Sequence, residues 1–397
     1  MTRPFRRRIL YLPGFDPIPP RRYRELYRRE SAEQAAISGY RISMRPRKRK
    51  TAFGWGAGGE FPEGNAEAQF EVLVWADLVQ QSMRGGIPAT YGQLVATAWA
   101  YIGSGALFRL MRLRRGPVIA ALYPIAVLLL QALAALLLGG LAGWLAWHWT
   151  GLWGGLPVAL ACAVAVLIGF RRLDHRIFAY YLMHDYAFTA RNGGAYPPRL
   201  EARLAEFRET LAEALTGDED EVLVIGHSSG AYLAVSLLAD LLRAGQSPPG
   251  GPALALLTLG QVVPMAAFLP RATRLRADLA FLSEQPQIFW LDVSAPGDAC
   301  CFGLCDPVAV TGVAGPGQRW PLVISAAFTQ TLSEARQKAL RGHWFRLHFQ
   351  YLCAFDRPGD YDYFAITTGP LPLAQRYAGR APSPGRITRP VGPGLAR

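Results

Sequence analysis

Residues 117–149 carry no charged side chain over 33 positions, and residues 151–170 carry none over another 20. Each run reaches or exceeds the roughly 20 residues a helix needs to cross the hydrocarbon core of a bilayer. Only Thr150 separates them, with glycines beside it, so the pair reads as a transmembrane helical hairpin. Trp144, Trp147, Trp149 and Trp153, with His148, mark an interface at its tip. Arg109, Arg112, Arg114 and Arg115 precede the hairpin, and Arg171, Arg172 and Arg176 follow it. Positive charge at both open ends is expected on the cytoplasmic side, which makes the chain a multi-pass inner-membrane protein with its remaining mass in the cytoplasm. Two buried core helices would need an unusually large globular interior to hide so many uncharged residues. Residues 87–111, with Tyr91, Leu94, Trp99, Tyr101 and Leu107, read as an interfacial helix in the headgroups. A third crossing there would break the charge symmetry.

The charged fraction of 18% lies below the usual quarter, as a membrane segment requires. The net charge of +13 would suit nucleic acid or an anionic membrane surface. Arginines packed beside apolar helices favour lipid. The basic cluster 41–50 lacks regular aromatic interleaving and reads as a solvated or phospholipid-facing loop, so no nucleic-acid partner is expected. The five cysteines show no paired spacing that would suggest a disulfide framework, which fits reduced thiols in a cytoplasmic compartment. Residues 9–12 are too short an apolar core for a signal peptide.

Outside the hairpin, the most informative stretch is 222–233, an apolar run that stops at Gly226-His227-Ser228-Ser229-Gly230 and passes into a helix pattern. It reads as a nucleophile elbow, a sharp strand-to-helix turn that presents Ser228 clear of the sheet. Gly226 and Gly230 leave room for that turn, and Leu233, Leu237 and Leu241 set one apolar stripe against a sheet. Ser229 is the candidate for one oxyanion N–H at the helix start, and His227 reads as a bystander. Residues 8–12 form an early core strand ended by Pro13-Gly14-Phe15-Asp16-Pro17, where Phe15 is the candidate for the second N–H.

Further strands are expected at 70–75, 253–259 and 287–293, and helices at 21–37 and 200–215; 54–64 reads as a loop. Strands alternating with helices argue for an α/β fold, a doubly wound, mostly parallel sheet with the hairpin inserted between the strand near Phe70 and the elbow strand. The chain divides into 1–86 and 177–370 as two parts of one domain, 87–176 as the membrane insertion, and 371–397 as a basic tail expected to be disordered.

An activated serine needs a base to take its proton and an acid to orient the base. Downstream of Ser228 the histidines are His343 and His348, and the apolar stretch after His348 favours it. Of Asp292, Asp298 and Asp306, Asp292 lies within a strand, whereas Asp298 sits on a turn at the carboxyl edge of the sheet, with Asp306 second. Cys300, Cys301 and Cys305 match none of the usual zinc spacings and read as small packing residues, so neither a metal nor a cofactor is expected.

The elbow, the Pro13-Gly14-Phe15 loop and a late His348 together resemble the α/β-hydrolase superfamily of lipases, esterases and thioesterases. The resemblance implies an acyl-enzyme mechanism carried by Ser228, Asp298 and His348, with Phe15 and Ser229 N–H groups as the oxyanion hole. Two departures stand out: Pro13-Gly14 replaces a His-Gly dipeptide at the oxyanion loop, and the hairpin is foreign to the common core. The expectation is a membrane-anchored serine hydrolase acting on an apolar acyl ester or thioester, its partner the lipid bilayer. An acyltransferase is a close variant. An idle hydrolase fold serving as a membrane scaffold or lipid-binding module is the reading from another class.

Overall fold

The computed structural model of the chain describes residues 3–47 and 53–395, so the end of the basic cluster, 48–50, lies outside the described residues. Its strands are β1 (Phe5–Leu12), β2 (Arg41–Arg45), β3 (Gly54–Phe61), β4 (Gly64–Val72), β5 (Glu221–His227), β6 (Ala253–Leu259), β7 (Ile288–Ser294) and β8 (Leu322–Ser325). They form one mixed eight-stranded sheet in the order β2-β3-β4-β1-β5-β6-β7-β8. From β4 to β8 every pairing is parallel, and β2 and β3 form an antiparallel edge.

Parallel strands need cover on both faces, and the sequence supplies it by alternation. Leu10, Leu12, Val222, Val224, Leu254 and Leu256 enter one core with the helices Pro198–Ala214, Gly230–Arg243 and Thr273–Glu284. Ile9, Tyr11, Leu223, Ile225, Ala255 and Leu257 enter the other, against the helices Arg21–Ser38 and Tyr363–Thr368. β5 is buried along its whole length. Arg7 on β1 lies fully buried and is neutralised by Glu221 at 2.5 Å, while its remaining donors reach the carbonyls of Gly369 and Leu371.

Two expectations are corrected. Residues 54–64 are strand rather than loop over β3, because glycine there admits close neighbours: a Cβ at Gly59 would lie 2.2 Å from the Thr368 carbonyl oxygen. The tail over 371–395 is not loose. Leu373 and Tyr377 are buried, the Ser383 N–H bonds the Val323 carbonyl, and the Val391 N–H bonds that of Val310. Its few apolar residues find slots in the body despite the lack of periodicity.

Between β4 and β5 lies the helical segment Arg115–Arg172, long and apolar enough to cross a membrane. It is interrupted at Gly151, whose φ of 67° and ψ of −167° are non-helical. Residues on the two sides of that break touch: a Cβ at Gly143 would meet Ala159 Cβ at 2.6 Å and the Gly155 oxygen at 2.7 Å. Small residues permit this approach. The outward side chains are apolar and open, with Leu136 70% and Trp153 93% exposed. The foot of the segment meets the body at Ala299 and Gly303. Arg114 Nε donates to the Gly303 carbonyl at 2.9 Å, and Gly116 lies against Ala299. The helix Ile87–Gly103 packs beside it through Leu94, Leu128, Tyr180 and Met183, leaving Val95 and Trp99 exposed.

Candidate active site

The apolar run of β5 ends because Ser228 takes a left-handed backbone, φ 57°, which a non-glycine residue adopts at a cost of about 1–3 kcal/mol. The turn is held from outside. The Ser228 N–H donates to the Leu259 carbonyl at 2.9 Å, and a Cβ at Gly226 would lie 2.6 Å from the Gly230 oxygen. Gly230 in turn leaves no space, since its Cβ would sit 2.2 Å from the Leu12 oxygen at the end of β1. Ser228 is half-exposed at the carboxyl edge of the sheet, while His227 and Ser229 on either side are buried.

The loop after β1 lies directly beside it. A Cβ at Gly14 would stand 2.9 Å from Ser228 Cβ and 3.4 Å from its Oγ. The carbonyls of this loop are tied down: Trp75 Nε1 donates to Pro13 at 3.0 Å, and the Tyr181 hydroxyl donates to Phe15. Asp16 caps the loop through the Ile18 N–H, the Tyr23 hydroxyl and Arg22. The N–H groups of Phe15 and Ser229 have no protein acceptor among the described residues. Two free backbone donors beside a serine hydroxyl can hold a developing oxyanion.

His348 and Asp298 come together across 50 residues of sequence, with His348 Nδ1 2.7 Å from Asp298 Oδ2. The Asp298 carboxylate also accepts from the Cys300 N–H at 2.9 Å and the Tyr351 hydroxyl at 3.1 Å. Burial works against its charge, but His348, the Cys300 N–H and the Cys301 thiol outweigh it and hold the carboxyl below the usual range. The His348 ring sits against Gly260, next to the Leu259 that receives the Ser228 N–H, and its Nε2 is buried without a hydrogen-bond partner. Ser228 Oγ and His348 Nε2 are not hydrogen-bonded to each other here; such contacts often tighten only with substrate.

No family model matches the chain, and no curated protein or solved structure is similar enough to it to count as a match. The arrangement therefore has to be read from its own geometry. His343 is exposed, and Asp306 instead caps the helix Pro307–Thr311 by accepting the N–H groups of Val308 and Ala309. Asp292 is buried inside β7 with Thr258 Oγ1 at 2.6 Å, and burial pushes its carboxyl up to about 8.

The sequence gives no hint that His227 is more than a neighbour. Its Nε2–H donates to the His348 carbonyl at 3.0 Å, so it braces the backbone of the histidine opposite. The helix Ala179–Ala190 was equally unmarked, although its density of Tyr, His and Asp just after an apolar segment is a usable signal. Potential ligand atoms of Asp298, Cys300 and His348 lie within 4.8 Å of one another. Burial pushes the Cys300 thiol well up and so keeps it protonated, and His348 Nδ1 is committed to Asp298, which suits an oriented imidazole better than a cation.

Proposed function

We propose that the chain is a membrane-anchored serine hydrolase that cleaves an ester or thioester of an apolar acyl group through an acyl-enzyme. One observation carries the reading: a strained, half-exposed Ser228 shares one end of the sheet with a His348–Asp298 pair whose Nε2 is unclaimed. Ser228 Oγ attacks the acyl carbonyl as His348 Nε2 takes its proton, and the oxyanion rests on the N–H groups of Phe15 and Ser229. Asp298 stays ionised, keeps Nδ1 protonated and stabilises the imidazolium. His348 then protonates the leaving group, and water, activated by the same imidazole, releases the acid.

The anchoring half of the proposal is a hairpin. The two arms meeting at Gly151 each span the bilayer, with arginines at both feet on the cytoplasmic side. Their contact at Gly143 and Ala159 and their outward leucines support it. The foot beside Ala299 would keep the site within reach of lipid-soluble esters.

A fluorophosphonate probe applied to the full-length protein in detergent tests the chemistry. Labelling of the wild type, its absence in Ser228→Ala and a severe slowing in Asp298→Asn are expected; labelling that persists in Ser228→Ala overturns the assignment. The absent Ser228–His348 hydrogen bond is what a non-catalytic membrane scaffold would share, and a wild type that fails to label favours that reading.

A further inference from the structure

Tyr181, Asp185 and Thr189 recur every fourth residue along the helix Ala179–Ala190 and therefore share one face. That face lies over the candidate site. At one end Tyr181 reaches the Phe15 carbonyl of the oxyanion loop, and at the other Thr189 meets the Tyr232 phenol, which also neighbours the Ser229 hydroxyl. Asp185 stands between them on the same face, near enough to His348 for the charges of the two side chains to interact. Its carboxyl is half-buried and, among the described residues, has neither a hydrogen-bond nor an ion-pair partner. The carboxyl is thus free to meet a ligand, on the same helix face whose Tyr181 reaches the oxyanion loop.

We propose that Asp185 is a substrate-binding residue of this site, its carboxyl group donating a hydrogen bond to an oxygen atom of the bound ester. The inference rests on the hydrolase reading above and goes beyond it, because nothing in a serine–histidine–aspartate arrangement calls for a fourth group on this helix. Donation requires the protonated form. Burial pushes the Asp185 carboxyl up to about 7, with the His348 imidazole pulling the other way. The other titratable groups around it are the Cys300 thiol and the phenols of Tyr101, Tyr181, Tyr186 and Tyr232, and all of these are pushed upward by burial and stay neutral through that range. Below about pH 7 Asp185 donates. Above it the carboxylate only accepts, and it faces the oxyanion with like charge.

The test is hydrolysis of p-nitrophenyl butyrate by the full-length protein in detergent micelles from pH 6 to 9, with Asp185→Asn and Asp185→Leu alongside. For the wild type kcat/KM should fall toward tenfold per pH unit above about 7. Asp185→Asn, which keeps a donor but cannot ionise, should lose that alkaline limb, and Asp185→Leu should raise KM about tenfold at pH 6. An alkaline limb that survives unchanged in Asp185→Asn, or an Asp185→Leu KM equal to that of the wild type, overturns the proposal. Fluorophosphonate labelling at pH 6 separates the two levels. A wild type that does not label removes the hydrolase reading and this inference with it, whereas a labelled wild type with an unaltered profile removes only the role of Asp185.

Discussion

His227 Nε2 lies 3.0 Å from the carbonyl oxygen of His348, and the two imidazole rings are 4.8 Å apart. A carbonyl only accepts, so the bond fixes His227 as the Nε2–H tautomer. Burial, with the neighbouring His348, pushes its pKa down to about 3 and keeps it neutral. His227→Ala leaves a buried carbonyl without its donor, at a cost of about 1–3 kcal/mol. We expect a lowered Tm and slower fluorophosphonate labelling, with His227→Gln recovering part of both.

The same residue gives an acid-side signature. Unfolded, its imidazole binds a proton below about pH 6.5, whereas folded it stays neutral down to about 3. Its stability contribution is present above pH 6.5 and is lost on acidification, by up to about 1.4 kcal/mol per unit. Urea unfolding between pH 6.5 and 4.5 should show a shallower decline for His227→Gln than for the wild type.

Asp292 has the opposite sign. Its folded carboxyl keeps a proton up to about 8, whereas the unfolded one ionises near 4. Between these values the native state binds more protons, so its contribution shrinks as pH rises and levels off above about 8. Asp292→Asn removes the ionisation, and its unfolding midpoint should decline less than that of the wild type from pH 5 to 8.

Gly14 borders the candidate site closely because it has no side chain. A Cβ there would press on Ser228 Cβ at 2.9 Å and on the His227 oxygen at 3.3 Å. Gly14→Ala should slow labelling by tenfold or more, with a Tm change far smaller than that of Gly230→Ala, whose Cβ would strike the Leu12 oxygen.

For the apolar segment the measurable outcomes are partition and sidedness. Leu136→Arg puts a charge on an open face of the run, costing about 2.5–3.5 kcal/mol at mid-bilayer, and should reduce the membrane-integrated fraction. In a Cys162→Ala background, Thr150→Cys should react with a membrane-impermeant maleimide added outside the cell, and Arg112→Cys should not. The reverse pattern would invert the orientation.

How much was legible in the sequence depended on how local each signal is. β1, β5, β6 and β7 announce themselves as apolar runs because parallel strands are buried on both faces. The strand-to-helix turn at Ser228 is visible because tight backbone contacts at Gly226 and Gly230 impose glycine there. The β3 edge was hidden because its glycines serve neighbours distant in sequence, such as Thr368. The contact of Asp298 with His348, and not of Asp306 or His343, is decided by loops converging from 50 residues apart. His227, Tyr181 and Asp185 escaped for the same reason: what each touches is far from it along the chain.

β1 hydrogen-bonds to β4 on one side and to β5 on the other, and the whole apolar segment lies between those two partners in the chain. During synthesis the first four strands therefore leave the ribosome well before the elbow strand exists, with one flank of β1 open and Arg7 still awaiting Glu221. The apolar rods emerge in that interval. Under the function proposed above, their delivery to lipid precedes closure of the sheet, and Ser228 becomes a nucleophile only once the protein is already at the membrane.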